Sequence, residues 1–370
     1  MLRFLAIILQ ALPYNISVKI HNNIPFAPYT SLHVGGNIKT MIDVEAGDNL
    51  SSILHELPKN EPLLIIGQGT NSLVSDHGFQ GTVIRNIAGK ISLKSSNHIE
   101  VDSGVDWDTF VKFAIQNKLW GVELMSGIPG TIGAAITGNI AAYGQSIADT
   151  LQSITVYDCS TKKTKIINAK ELKLNYRQSK LQTNEYKNLI IVSALFKLSH
   201  EPVKNLEYQS ALNVADELGL SPNTLKNCRT IILEARRRAG SLLKNTKDGP
   251  FTAGSFFKNP IVTQTQADYI LSFEESSTTK SNVLAQNKLH SGSSLRVSAA
   301  LVLLAAGFKR GQTWGKVQLH KDHILKLENT GGATAQEIYD VAQLIIKTVK
   351  QKLDINLEPE VRFIGHFNDH

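Results

Sequence analysis

The chain has 370 residues, 42% hydrophobic and 19% charged, with a formal charge of +7; that length predicts two or three domains, and the composition excludes a disordered chain. Two isolated cysteines, Cys159 and Cys228, are too few for a disulfide framework or a zinc site, so a cytoplasmic setting and no metal are expected. The cations are dispersed apart from Arg236, Arg237 and Arg238 and lack interleaved aromatics, which argues against nucleic acid and for small phosphorylated ligands.

The apolar run in residues 1–12 lacks a small-x-small cleavage site and is far short of the roughly 20 residues that span a bilayer. A short amphipathic helix or packed extension is expected there, with no membrane span elsewhere. Residues 25–31 read as extended, His33-Val34-Gly35-Gly36 as a turn before a strand at 40–44, and 48–57 as a helix capped by Asp48 or Asn49. A buried strand at 63–66 then runs into Gly67-Gln68-Gly69-Thr70-Asn71. Strand, Gly-x-Gly, hydroxyl and amide is one way to bring backbone N–H groups to a pyrophosphate. The third glycine and the helix of the dinucleotide fingerprint are absent, because residues 75–79 lead into another strand at 81–85. Taken alone, the motif reads first as a β-turn.

A short strand at 99–102 precedes a helix over 104–117, whose Trp107, Phe110, Val111 and Ala114 fall on one core-facing stripe. A second glycine-rich block follows: Ser126-Gly127-Ile128-Pro129-Gly130-Thr131-Ile132-Gly133-Ala134-Ala135, then Gly138-Asn139 and Ala141-Ala142-Tyr143-Gly144. A surface so stripped of side chains either packs helices or lets a large flat ligand lie against backbone. Packing accounts for Ala134 and Ala135; ligand contact accounts better for Asn139, Tyr143 and Gly144.

A hairpin is expected over 151–157 and 164–167, and a strand over 189–196. Between them Arg177, flanked by Tyr176 and Ser179, is either a surface cation or a fork aimed at a carboxylate. The composition changes after Ser199. Residues 207–218 and 221–236 read as polar helices, the second started by Ser221-Pro222 and followed by cations that complement its dipole. Residues 249–261 centre on Gly254-Ser255-Phe256-Phe257-Lys258-Asn259-Pro260. That stretch reads equally as a strand entering a turn or as an active-site wall, with two aromatics excluding water beside a hydroxyl. An apolar helix at 295–307, strand and loop at 315–327, an amphipathic helix at 334–353 and a final strand at 356–365 complete the chain.

Five blocks in this order, IIGQGTNSLVSDHGFQGTVI, SGIPGTIGAAITGNIAAYG, NYRQS, AGSFFKNP and LEPEVRFIG, resemble the UDP-N-acetylenolpyruvoylglucosamine reductase family, in its longer branch, over residues 25–365. The resemblance implies an α+β fold: a two-lobed FAD-binding domain of the vanillyl-alcohol-oxidase (PCMH) type, expected over 25–200 behind an extension at 1–24, and a separate α+β substrate-binding domain over 201–370. It implies non-covalent FAD held by Gly67, Gln68, Gly69, Thr70, Asn71, Ser126, Gly127, Ile128, Pro129, Gly130, Thr131, Gly133, Asn139, Tyr143 and Gly144. NADPH would be the co-substrate, and UDP-N-acetylglucosamine enolpyruvate would become UDP-N-acetylmuramate in peptidoglycan precursor synthesis. A monomer is expected.

The resemblance further implies Ser255 as proton donor and Arg177 with Glu360 at the enolate. Glu360 is preferred to Glu358 because it directly precedes the Val361-Arg362 pair. Tyr208, Arg237, Arg238 and Asn259 are the implied substrate contacts. One departure stands out: Ala239 occupies the place where members of this branch usually carry a lysine that meets substrate phosphate, so either Arg237 or Arg238 substitutes or substrate affinity is reduced. The rival readings are a flavin oxidase of the same fold and, because of Ala239, a nucleotide-binding protein without activity.

Overall fold

The structure, a computed structural model, describes residues 18–45, 49–57, 61–242, 251–273 and 295–369. The expected N-terminal helix, Asp48 and the start of the 249–261 stretch lie outside the described residues.

The first lobe is built from β1 (Lys19–Pro25), β2 (Asn37–Val44), β3 (Leu63–Ile66), β4 (Ser72–Val74) and β5 (Phe79–Asn86), with α1 (Leu50–Glu56) crossing between β2 and β3. Its sheet has the order β1-β2-β5-β3. Both β2 and β3 run parallel to β5, which requires a crossover such as α1. Asn49 starts that helix, its side chain accepting the Ser52 N–H at 3.2 Å.

The second lobe holds β6 (Ile91–Leu93), β7 (His98–Asp102), α2 (Trp107–Gln116), α3 (Ile132–Thr137), β8 (Ala141–Ala142), β9 (Gln145–Ser146), β10 (Leu151–Asp158), β11 (Lys163–Asn168) and β12 (Leu189–Lys197). Its antiparallel sheet has the order β11-β10-β12-β7-β6. The expected helical stripe is its core: Trp107, Phe110, Val111 and Ala114 are fully buried, and Phe110 packs 4.7 Å from Phe196 of β12. The helix begins later than its apolar pattern because Asp106 caps it, accepting the Thr109 N–H at 2.8 Å.

Next come α4 (Gln209–Leu218) and α5 (Leu225–Arg238). Ser221-Pro222 does not start α5. Thr224 caps it instead, accepting the Asn227 N–H at 3.2 Å, while the Ser221 carbonyl takes the Asn227 side chain at 2.8 Å and so belongs to the preceding turn. The pair packs through Leu206, Ala211, Val214, Ile231 and Ile232 against Leu124 of the second lobe.

The third unit contains β13 (Phe251–Thr252), α6 (Gln264–Ser272), α7 (Ala299–Ala305), β14 (Thr313–Trp314), β15 (Val317–Leu319), β16 (Leu327–Asn329), α8 (Ala335–Leu353) and β17 (Arg362–Ile364). Its sheet has the order β13-β16-β15-β14. The apolar helix α7 is shorter than its pattern because Arg296 is extended, bridging to Ile261. The core of this unit is continuous with Leu32, Val34 and Leu73 of the first lobe. Polar contacts also join them. Asp76 accepts the N–H groups of Ala335 and Gln336 at 3.0 and 2.9 Å, capping α8, and Asn329 donates to the Leu32 carbonyl at 3.0 Å. The last strand, β17, leaves its unit and pairs in parallel with β4. Among the described residues no helix is long and apolar enough to cross a membrane.

Candidate active site

The two glycine-rich loops lie against each other. Gln68 joins them, accepting the Gly130 N–H at 2.9 Å and donating to Asp106 at 2.9 Å. A Cβ on Gly67 would stand 2.5 Å from Thr131 Oγ1, and one on Gly69, whose φ is +63°, would stand 2.0 Å from the Tyr29 carbonyl oxygen. Only glycine allows that approach. We expect Gly69→Ala to cost the purified protein most of its flavin, read as the ratio of visible to ultraviolet absorbance; full retention would contradict a ligand role for the loop.

The second loop is fixed from beneath. Ser126 Oγ donates to the Glu123 carbonyl at 2.7 Å. The fully buried Glu123 carboxylate accepts the N–H groups of Gly121 and Val122 and the Gln145 side chain at 2.7, 3.1 and 2.7 Å. Gly133 donates to Ser103 at 2.8 Å.

Asp108 accepts the Gly127 N–H at 2.7 Å and both Arg229 nitrogens at 2.7 Å. Burial opposes its ionisation, but Arg229 and the Gly127 N–H outweigh that and hold the carboxyl at about 2. A depressed value stabilises the fold above the unfolded carboxyl value and loses that stability as pH falls toward the folded one. Asp108→Asn is therefore expected to cost about 2 kcal/mol at neutral pH, and its Tm deficit should shrink as pH is lowered from about 5 to about 2. A pH-independent deficit by calorimetry would refute this.

The loops also leave unmet hydrogen-bonding capacity. Among the described residues, the N–H groups of Gly69, Thr70, Ile128 and Thr131 donate to nothing within the chain. Asn139, at φ +41°, donates to the Asn175 carbonyl at 2.7 Å, while its Oδ1 is buried without a partner. Tyr143 is also left-handed, at φ +49°, and its ring meets Tyr208 edge-on at 5.4 Å. Free amides on two touching loops and an orphaned buried amide oxygen fit a cofactor that carries both phosphates and a polar ring system, as FAD does.

Arg177 sits in a tight turn in which Asn175 and Gln178 exchange both backbone hydrogen bonds at 3.0 Å. Its φ is +52°, a conformation that costs an L-residue about 1–2 kcal/mol. The turn sets Arg177 Nε 3.0 Å from Glu360 Oε1. That N–H is not aligned for a hydrogen bond, so the pair is held by charge.

Ser255, half-buried, and Glu360 are brought together by backbone. Phe256 donates to the Leu325 carbonyl at 2.7 Å and accepts the Glu360 N–H at 2.8 Å, and Lys258 donates to the Glu358 carbonyl at 2.9 Å. Asn71 extends the seam to the first glycine loop, its side chain donating to the Glu360 carbonyl at 3.1 Å and its own carbonyl accepting the Arg362 N–H at 3.1 Å. Phe256 and Phe257, for which a pocket wall is one of the two readings, are buried in the core of the third unit and anchor the backbone beside Ser255. A Cβ on Gly254, at φ +79°, would face open space.

The expected substrate residues divide. Burial pushes the Tyr208 phenol up to about 12, with Tyr176 and Tyr143 adjoining, so near neutral pH it keeps its proton and can donate. Asn259 Oδ1 accepts the Ala299 N–H at 2.9 Å and its carbonyl accepts Arg296 at 2.7 Å, so this residue holds the start of α7. Its N–H donates to Tyr176 Oη at 3.3 Å, and the Arg296 guanidinium lies 4.8 Å from the Tyr176 ring centre. Arg237 and Arg238 are exposed on the far side of the helix end, paired with Glu234 and, for Arg238, Glu217 at 2.5–2.8 Å. The cation of that run that turns inward is Arg236, whose Nε would lie 3.5 Å from a Cβ on Gly127. Sequence reasoning missed it, together with Asp108, Glu123 and Gln145.

Fold and site together define a flavin-dependent oxidoreductase on the two-lobed FAD-binding fold: residues 40–165 match the family model described as FAD binding domain. Residues 244–364 match the model of the UDP-N-acetylenolpyruvoylglucosamine reductase C-terminal domain. The chain belongs to the UDP-N-acetylenolpyruvoylglucosamine reductase family: it is 31% identical to the enzyme of that name from Thermobifida fusca, over 93% of this chain and 97% of that protein. It is likewise 31% identical to the one from Flavobacterium johnsoniae, over 94% of this chain and all of that protein. The crystal structure of UDP-N-acetylenolpyruvylglucosamine reductase from Thermus caldophilus shares the fold, with a TM-score of 0.63 at 20% identity over 94% of this chain and all of that one.

Proposed function

We propose that this chain reduces UDP-N-acetylglucosamine enolpyruvate to UDP-N-acetylmuramate, with NADPH as electron source, in peptidoglycan precursor synthesis. The observation that carries this reading is the Arg177–Glu360 contact at 3.0 Å, held on the same backbone seam as Ser255. The family and the glycine loops support it.

The loops at Gly67, Gln68, Gly69, Thr70 and Asn71 and at Ser126, Gly127, Ile128, Pro129, Gly130, Thr131 and Gly133, with Asn139, Tyr143 and Gly144, would hold FAD without a covalent bond. Bound there, FAD supplies a hydride that it receives from NADPH.

The substrate's double bond carries an ether oxygen and a carboxylate on one carbon. Hydride addition to the terminal carbon pushes the electron pair into that carboxylate as an enolate. Arg177 meets the growing charge with a fixed cation, and Glu360 fixes the guanidinium. Ser255 Oγ–H gives its proton to the carbon that bears the ether, and the serine regains a proton from water. Tyr208 contributes a neutral donor to the nucleotide end.

The division of labour follows the chain: flavin binding in 25–200 and substrate handling in 201–370, with α4 and α5 standing on the second lobe. The protein acts as a cytoplasmic monomer. Anaerobic mixing of the NADPH-reduced protein with the enolpyruvyl nucleotide tests the reading, and reoxidation of the flavin is expected. Reoxidation by oxygen alone would favour an oxidase of the same fold, and a colourless protein a binding relative.

A further inference from the structure

The cation expected at position 239 is absent from the sequence but not from the space. Lys326 precedes β16 in the third unit and is only 3% exposed. Its ammonium lies against the carbonyl oxygens of Ala239, at 3.4 Å, and Gly240. A Cβ on Gly240 would be 3.6 Å from both Lys326 Nζ and His320 Cε1. Among the described residues no carboxylate comes within 4.0 Å of the Lys326 ammonium.

Arg236 lies in the last turn of α5. Its Nη2 donates to the Ser241 carbonyl at 2.8 Å, but its Nε is buried without a partner on the side facing Gly127. Burial, then the Arg236 charge, lowers Lys326 to about 8. Burial and Lys326 together lower His323 to about 4, leaving that imidazole neutral. Burial also lowers Arg236, against the pull of Tyr143 and Asp108; a buried ammonium bonded only to carbonyls and a guanidinium whose Nε is orphaned beside the glycine loop leave room for a further anionic partner.

We propose that Lys326 and Arg236 hold the diphosphate of the sugar nucleotide, with Lys326 supplying from the third unit the charge that Ala239 does not carry at the end of α5. This rests on the reductase reading above. Lys326 belongs to the segment whose neighbour Leu325 accepts the Phe256 N–H at 2.7 Å, so the site is coupled to Ser255 and favours the substrate's diphosphate over that of the flavin. A merely structural Lys326, bonded to the last carbonyls of α5, would leave the orphaned Arg236 nitrogen unexplained.

The test is Lys326→Met in the full-length flavoprotein, with the double variant Ala239→Lys/Lys326→Met beside it. For Lys326→Met the KM for the enolpyruvyl nucleotide should rise about ten- to a hundred-fold, with kcat falling by less than KM rises and flavin content retained. UDP, titrated by calorimetry against the oxidised protein, should lose its advantage over UMP. The double variant should recover most of the lost affinity, which a helix-capping role would not allow. An unchanged KM, or an equal loss in the double variant, overturns the proposal. So does loss of flavin at unchanged KM, which would assign the pair to the cofactor's diphosphate. Failure of the wild-type protein to be reoxidised by the nucleotide at all would overturn the reductase reading itself.

Discussion

Ser255→Ala is expected to slow reoxidation of the reduced flavin by the enolpyruvyl nucleotide about 10²–10⁴-fold, the range of a positioned proton donor, while NADPH still reduces the flavin at close to the normal rate. The separation follows from placement. Ser255 is carried by the seam between residues 256–258 and 358–360, and the glycine loops do not depend on its hydroxyl. Rapid-reaction traces of the two half-reactions measure the effects independently. Equal slowing of both would remove Ser255 from the proton-transfer role. The backbone neighbours Phe256 and Phe257 are in the core, so the substitution should leave Tm nearly unchanged and a lost rate cannot be charged to unfolding.

The second large effect belongs to the ion pair. Glu360→Gln keeps the shape of the side chain and removes its charge, leaving Arg177 to adjust its position with only a neutral amide beside it. A fall of about 10²–10³-fold in kcat is expected, comparable to the loss of one preorganised electrostatic group, with flavin content maintained. Arg177→Lys should be as damaging, because an ammonium on a flexible stem does not reproduce a planar fork. Arg177→Gly makes the contrast sharper: it relieves the left-handed backbone at φ +52° and should raise Tm while abolishing turnover. Unchanged or lowered stability would mean that the turn is not strained.

Much of this architecture was legible in the chain. The stripe Trp107, Phe110, Val111 and Ala114 is the buried face of α2, because burial of one helix face writes its period into the sequence. The first glycine block marks its loop, since at Gly67 and Gly69 only glycine tolerates approaches of 2.5 and 2.0 Å by neighbouring atoms. What stayed hidden depends on partners far away along the chain. Thr224 and Ser221 both qualify as caps by composition, Ser somewhat the better, and only the contacts of Asn227 decide between them. The paired aromatics at 256 and 257 serve a wall or a core alike until the packing is known. Arg236, Arg237 and Arg238 look alike in sequence, yet helical rotation turns one inward and leaves two with Glu234. Lys326 carries no local mark at all, because its position is defined by carbonyls 86 and 87 residues away.

The pairing of β17 with β4 has a consequence in time. Asn71 and the Glu360 carbonyl are bonded across a separation of 289 residues, so the carboxylate reaches Arg177 only after both glycine loops and the helices behind them have been made. Domains fold roughly in the order of synthesis, and closing so long a loop is a late event. A chain that has not yet reached Glu360 can thus shape its glycine loops while lacking the anion that faces Arg177. Under the reading proposed above, a chain that stops short of Glu360 would hold flavin yet lack the second half of the reaction.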